Sequence, residues 1–307
     1  MNFRVFKALL RFNLCFLLLV LISVGAFAKS ETKDIKIFTD TIQYNQHKQK
    51  MKLCLPQENP DDSFSSFKEK PFFLLVHGGA WTVGFGSRYD FYSHCKYLAR
   101  HGFPAASVSY RLAPKYTYPA AYNDVKDAVV WVNEHIEDYN NEKIRFDPSN
   151  IILAGHSAGG HLSLLVGLRE KTLPLAGIIS LAGPTDLTTK DACKLCTPQK
   201  KGFLKDTPPE LASPVNYARP DAPPVYLFHG DQDYVVDVSQ SYAMKKALDD
   251  VGAKVKLRVL DTRRHWFPFV TKKEKKLVVD ILDFIIAEST MAVANNRLEG
   301  DKKNDSN

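Results

Sequence analysis

Gly155-His156-Ser157-Ala158-Gly159 decides the reading of this chain. The apolar run Ile151-Ile152-Leu153-Ala154 precedes it, and a helix-compatible stretch, 158–168, follows. Strand, Gly-x-Ser-x-Gly, helix is the setting of a nucleophile elbow, a sharp turn that exposes the serine hydroxyl. Such a turn leaves no room for side chains at its flanks. Glycines at 155 and 159 remove that clash, and Ser157 is expected in a strained conformation. The helix would direct backbone N–H groups and a partial positive charge toward the hydroxyl. Three fixed positions in five residues also arise by chance, so the assignment rests on what accompanies them.

An acyl-transfer serine needs a base, a group that orients the base, and donors for the oxyanion. His265 is the base candidate, after the strand-like run 255–260. Asp233 is the orienting carboxylate, in His229-Gly230-Asp231-Gln232-Asp233 after the apolar run Val225-Tyr226-Leu227-Phe228; Asp231, Asp237 and Asp261 are its rivals. The oxyanion loop is His77-Gly78-Gly79-Ala80-Trp81, after Phe72-Phe73-Leu74-Leu75-Val76. Backbone N–H groups of Gly79 and Ala158, with Gly78 or Ala80, can point at a substrate oxygen without a large side chain intervening. Each motif falls at the carboxyl end of an expected strand, where ligands bind in open α/β sheets.

Together these residues resemble the α/β-hydrolase esterases of the hormone-sensitive-lipase and acetyl-xylan/feruloyl-esterase-like (BD-FAE-like) group. The resemblance is carried by His77-Gly78-Gly79-Ala80-Trp81, Tyr110-Arg111-Leu112-Ala113-Pro114, Tyr118-Pro119-Ala120 with Asp124 and Trp131, Gly155 to His161, and His229-Gly230-x-x-Asp233, and it spans roughly 72–286. The chain order Ser157, Asp233, His265 agrees with that fold. The resemblance implies carboxylic-ester hydrolysis and says little about substrate. Many relatives carry a third glycine or a tyrosine where this chain has Ala80, which leaves the second donor of that loop open.

The expected activity is therefore a serine carboxylic-ester hydrolase working on short-chain or small acyl esters through an acyl-enzyme, with no cofactor. The alternatives are an amide hydrolase (arylformamidase-like or a small peptidase), since the same three groups serve both, and a non-catalytic binding protein on a hydrolase fold. His77 is expected to brace the oxyanion loop. His156 and His161 read as packing or solvent-facing residues, and Tyr110-Arg111 as a brace near the site. Asp124 reads as a buried hydrogen-bonding or ion-paired group, and Asp186 as a turn cap or a residue lining the site. Phe85, Tyr89 and Trp266 lie close to the motifs and are candidates to stack on substrate. The histidines do not cluster with carboxylates at metal-ligand spacing, so no metal is expected. Gly84-Phe85-Gly86 lacks the third glycine and the downstream acid of a dinucleotide site.

Strand-like runs at 35–39 and 51–55 precede a polar loop, 56–70, and suggest an N-terminal antiparallel extension of the sheet. Strands are then expected at 72–76, 105–110, 151–155, 178–182, 225–229 and 255–260, alternating with helices at 91–100, 120–137, 158–168, 239–251 and 273–287. That alternation predicts the α/β class: a mostly parallel central sheet with helices on both faces. Residues 187–224 form a long Lys- and Pro-rich insertion, with Lys190, Lys194, Lys200, Lys201 and Lys205 against few large apolar residues, and are a candidate partial lid. The hydrolase domain is expected over 29–294, with a polar tail at 295–307.

Arg4, Lys7 and Arg11, an apolar core at 12–24 and Ala26-Phe27-Ala28 read as a cleavable signal peptide over 1–28, and hence as secretion or periplasmic export. The apolar run is short for a membrane span, so no stable membrane anchor is expected after cleavage. Removing it lowers the formal net charge from +7 to +4. The remaining basic residues are scattered and do not form an aromatic-interleaved stripe, which argues against nucleic acid and leaves a small-molecule ester as the expected partner. Cys54, Cys95, Cys193 and Cys196 remain; export permits disulfides, and four cysteines allow three connectivities. The local choice pairs Cys193 with Cys196 and Cys54 with Cys95.

Overall fold

The computed structural model describes residues 36–58, 70–84 and 91–265. The signal segment, Phe85, Tyr89, Trp266, the last expected helix and the polar tail lie outside the described residues, as does most of the loop at 56–70.

Eight strands form one sheet in the order β1-β2-β4-β3-β5-β6-β7-β8. They are β1 (Ile37–Gln43), β2 (Lys50–Pro56), β3 (Phe72–Val76), β4 (Ala105–Val108), β5 (Ile151–His156), β6 (Leu175–Leu181), β7 (Val225–Gly230) and β8 (Val255–Leu260). β1 and β2 pair antiparallel, and β2 joins β4 antiparallel; β3 to β8 run parallel. This is the α/β-hydrolase arrangement with the expected N-terminal antiparallel extension.

The apolar runs become strands buried on both sides because helices cover both faces. Side chains alternate across each strand. Phe72, Leu74 and Val76 of β3 pack into one core with Ile151 and Leu153 of β5. Phe73, Leu75, Ile152 and Ala154 point into the core on the opposite face. The first core is closed by α2 (Ala120–His135) and α3 (Ala158–Arg169), through Val125, Val129, Leu162 and Leu165. The second is closed by α1 (Tyr92–Arg100), through Cys95, Leu98 and Ala99. A third cluster seats Met244 and Leu248 of α5 (Ser239–Asp250) on Val225 and Leu227. Each such large side chain removed from water contributes roughly 1.5–3 kcal/mol. α3 is buried along nearly its whole length, so the turn that feeds it is held from every side.

Strand and helix ends agree with the sequence reading to within a few residues, with two informative differences. β6 begins at Leu175, three residues before the expected start at 178, with a register irregularity at Ile151/Ile152. The insertion, expected to be polar, contains the helix α4 (Thr197–Leu204) and buries Phe203, Leu204, Ala192 and Cys193. Lys190, Lys194, Lys201 and Lys205 of this segment are exposed and stand on its outer side. Lys200 instead folds inward and donates to the carbonyls of Leu187 (3.1 Å) and Thr189 (2.9 Å).

Candidate active site

Ser157 sits between the end of β5 and the start of α3 with φ 55° and ψ −122°. A non-glycine residue at that φ is strained by about 1–3 kcal/mol and persists only when its surroundings over-determine it. Here the Ser157 N–H donates to Leu181 O at 2.8 Å, and its own carbonyl accepts from His161 N at 2.9 Å. The flanking glycines are required by contact. A Cβ on Gly155 would lie 2.3 Å from the Gly159 backbone, and one on Gly159 would lie 2.0 Å from Val76 O.

Loops after β7 and β8 bring the two partners to Ser157. His265 Nε2 lies 2.9 Å from Ser157 Oγ, and His265 Nδ1 lies 2.7 Å from Asp233 Oδ2. A carboxylate only accepts, so Nδ1 carries the proton and Nε2 is left to accept from the serine hydroxyl. The other carboxylate oxygen of Asp233 accepts from the N–H groups of Val235 (2.8 Å) and Val236 (3.0 Å). Burial opposes ionisation of Asp233, but hydrogen bonds from His229 and His265 outweigh it and hold the carboxyl well below the usual carboxylate range. The rivals are engaged elsewhere: Asp237 with Lys194 at 2.5 Å, and Asp231 with the Arg263 N–H at 3.2 Å. Asp261 is exposed.

The loop expected to hold the oxyanion follows β3. Gly79 has φ 112°, and a Cβ there would meet Val83 O at 2.2 Å, so only glycine fits. Ala80 and Trp81 continue the turn at φ 49° and 60°. Gly79, Ala80, Ser157 and His265 line one open cleft of about 710 Å³, together with Cys196 and Gln199 from the insertion. Gln199 Oε1 is buried there without a hydrogen-bond partner among the described residues. Gly78 adjoins the same point: a Cβ on it would lie 3.3 Å from Ser157 Cβ. Ala158 is the first residue of α3, at its positive end.

The BD-FAE family model matches residues 65–248, more than half of the chain. The chain belongs to the BD-FAE family. Its sequence is 31% identical over 239 residues to "Esterase LipQ" of Mycobacterium tuberculosis, covering 71% of this chain and 55% of that protein. The chain spans about half the length of the curated relatives it matches. Among solved structures, it superposes on a truncated carbohydrate esterase from gut microbiota with a TM-score of 0.64 at 22% identity, covering 86% of this chain and 99% of that one. It also superposes on esterase B from Lactobacillus rhamnosis with a TM-score of 0.68 at 17% identity, covering 94% and 99%. At these identities the likeness is one of fold.

The remaining polar residues of this BD-FAE chain brace the site. His77 stacks on Tyr110, whose hydroxyl donates to His77 O at 3.0 Å. Arg111 pairs with the buried Asp124 at 2.9 Å. Asp186 accepts from the Thr188 N–H at 3.0 Å, the bond of a capped turn. Cys54 and Cys95 have Cα atoms 5.8 Å apart, and Cys193 and Cys196 have theirs 5.2 Å apart; both spacings suit a disulfide. Three histidine contacts have no signal in the sequence. His161 accepts from Trp81 Nε1 (3.2 Å) and donates to Ala212 O (2.7 Å), tying the oxyanion loop to the insertion. His229 donates to Val236 O (3.0 Å) under the Asp233 loop. His156 reaches the backbone of His265.

Proposed function

We propose that this BD-FAE chain is a serine carboxylic-ester hydrolase. The observation that carries the reading is the single imidazole of His265, within hydrogen-bond distance of both Ser157 Oγ (2.9 Å) and Asp233 (2.7 Å). Ser157 Oγ attacks the ester carbonyl carbon while His265 Nε2 takes its proton, and the C=O electron pair moves to the oxygen. N–H groups of Gly79 and Ala158, with those of Gly78 or Ala80, hold that oxyanion. Asp233, ionised across the working pH range, stabilises the imidazolium. Collapse of the tetrahedral centre breaks the C–O bond, and His265 returns the proton to the departing alkoxide. A water molecule, deprotonated by His265, then attacks the acyl-enzyme, and the carboxylic acid leaves with Ser157 restored. Short or small acyl groups suit an open cleft of this size.

The test is Ser157→Ala, assayed on p-nitrophenyl acetate and butyrate, with phosphonate labelling of the parent followed by peptide mapping. Loss of turnover by several orders of magnitude and a label on Ser157 are expected. Full activity in Ser157→Ala would overturn the reading. Hydrolysis of N-formylkynurenine or an anilide in preference to every ester would move it to an amide hydrolase.

A further inference from the structure

The residue before the nucleophile, His156, touches both halves of the site. It ends β5, and its ring is buried. Nε2 lies 2.7 Å from the main-chain oxygen of His265, a contact between residues 109 positions apart. A carbonyl only accepts, so Nε2 carries the proton and donates it. The two imidazole rings lie 4.9 Å apart, inclined at 50°. On its other edge the ring faces the oxyanion loop: a Cβ on Gly78 would come 3.1 Å from His156 Nδ1.

Residues 261–265, which lead from β8 to His265, begin in a turn and form no helix or strand. One anchor is at Arg263, whose carbonyl accepts from Gln232 N at 2.9 Å and whose N–H donates to Asp231 at 3.2 Å. The second is the His156 bond at His265 itself. Burial first, and then the adjacent His265, push the His156 pKa down to about 3. The ring therefore stays neutral while His265 works. That neutrality matters, because a cation beside His265 would oppose the imidazolium that forms when Ser157 gives up its proton.

We infer that His156 is a positioning residue: its Nε2–H fixes the main chain of His265 and thereby aims the base at Ser157. The inference rests on the Ser157–His265–Asp233 reading above. A shift of about 1 Å in a reacting group costs on the order of a hundredfold in rate, which sets the scale of the effect.

Three variants and a control test it. His156→Phe keeps a buried ring without the donor. His156→Asn has an amide too short to reach, and His156→Gln places an N–H near the Nε2 position. In the Phe and Asn variants kcat should fall by about ten- to a hundredfold with KM nearly unchanged. The Gln variant should recover to within about threefold of the parent, at melting temperatures that do not follow the same order. A Phe variant as active as the parent, or a Gln variant as impaired as the Asn variant, overturns the positioning role. The Asn–Gln comparison decides even where Phe disturbs folding. Ser157→Ala, assayed in parallel, separates the two readings. An active Ser157→Ala overturns the triad and this inference with it, whereas an inactive Ser157→Ala beside a fully active His156→Phe overturns this inference alone.

Discussion

Trp81 of the oxyanion loop stacks on Phe203 of the insertion, with ring centroids 4.7 Å apart and planes inclined at 12°. Trp81 adopts φ 60° and is fully buried, so the strained turn is held from the far side by a residue of another segment. The same indole donates to His161, which in turn bonds Ala212 of the insertion. The insertion thus supports the oxyanion loop as well as lining the cleft.

Phe203→Ala should therefore cost both stability and rate. Truncating a buried aromatic costs about 3–5 kcal/mol, and the freed Trp81 should loosen the donors at Gly79. Urea unfolding and kcat on p-nitrophenyl butyrate check this, with Phe203→Leu giving a smaller loss on both scales. A Phe203→Ala protein with parental stability and kcat would show that the stack does not support the loop.

Asp233→Asn should lower turnover by about 10³–10⁴-fold, because an amide can present a donor to His265 Nδ1 and favour the wrong tautomer. Asp237→Asn and Asp261→Asn should leave kcat near that of the parent, since neither carboxylate reaches His265. Equal losses at Asp233 and Asp261 would remove the assignment.

Stability should fall as the solution is acidified below about pH 6.5, before ordinary carboxylates titrate. Burial pushes the pKa of His161 down to about 4, and burial together with His265 pushes that of His156 down to about 3, from a usual 6.5. A ring whose folded-state pKa is depressed stays neutral while the unfolded chain takes up the proton. Its contribution is then full above 6.5 and shrinks down to the folded-state value. Asp233, with its carboxyl held below the usual range, adds a loss at still lower pH. Urea midpoints at pH 7.5 and pH 5 test this, and His161→Gln should flatten the change; equal midpoints would contradict it.

Exported protein should begin at Lys29 and carry no free thiols among Cys54, Cys95, Cys193 and Cys196. N-terminal sequencing and thiol titration under denaturing conditions measure this. Four titratable thiols, or a retained Met1, would reverse the expectation of export and pairing.

Acetyl and butyryl p-nitrophenyl esters should be cleaved with higher kcat/KM than dodecanoyl esters. Long acyl chains need walls that enclose most of the ligand, and the cleft bounded by Tyr234, Val83 and Gln199 is open. A preference for long chains or emulsified triglycerides would point to a lipase.

The fold class and the juxtaposition of the three candidate residues were legible in the sequence because their signals are local. Unbroken apolar runs such as 72–76 and 151–154 mark strands buried on both faces, and Gly155 and Gly159 mark a turn that tolerates no Cβ. The strands before them singled out Ser157, His265 and the loop that carries Asp233 as candidates. The antiparallel start was legible too, from two short runs ahead of the first parallel strand.

Only the tertiary structure decided what each polar residue does once the chain is closed. His156 read as packing, yet it bonds a carbonyl 109 residues away. The insertion read as polar, because Phe203 acquires its role only when α4 lies against Trp81. Asp233 was separated from Asp231, Asp237 and Asp261 by which loop carboxylate meets His265. Contacts of this kind leave no periodic mark in a sequence. They are set by the order in which the strands cross the sheet, whereas the elements themselves are set by spacings of two and 3.6 residues that any short window displays.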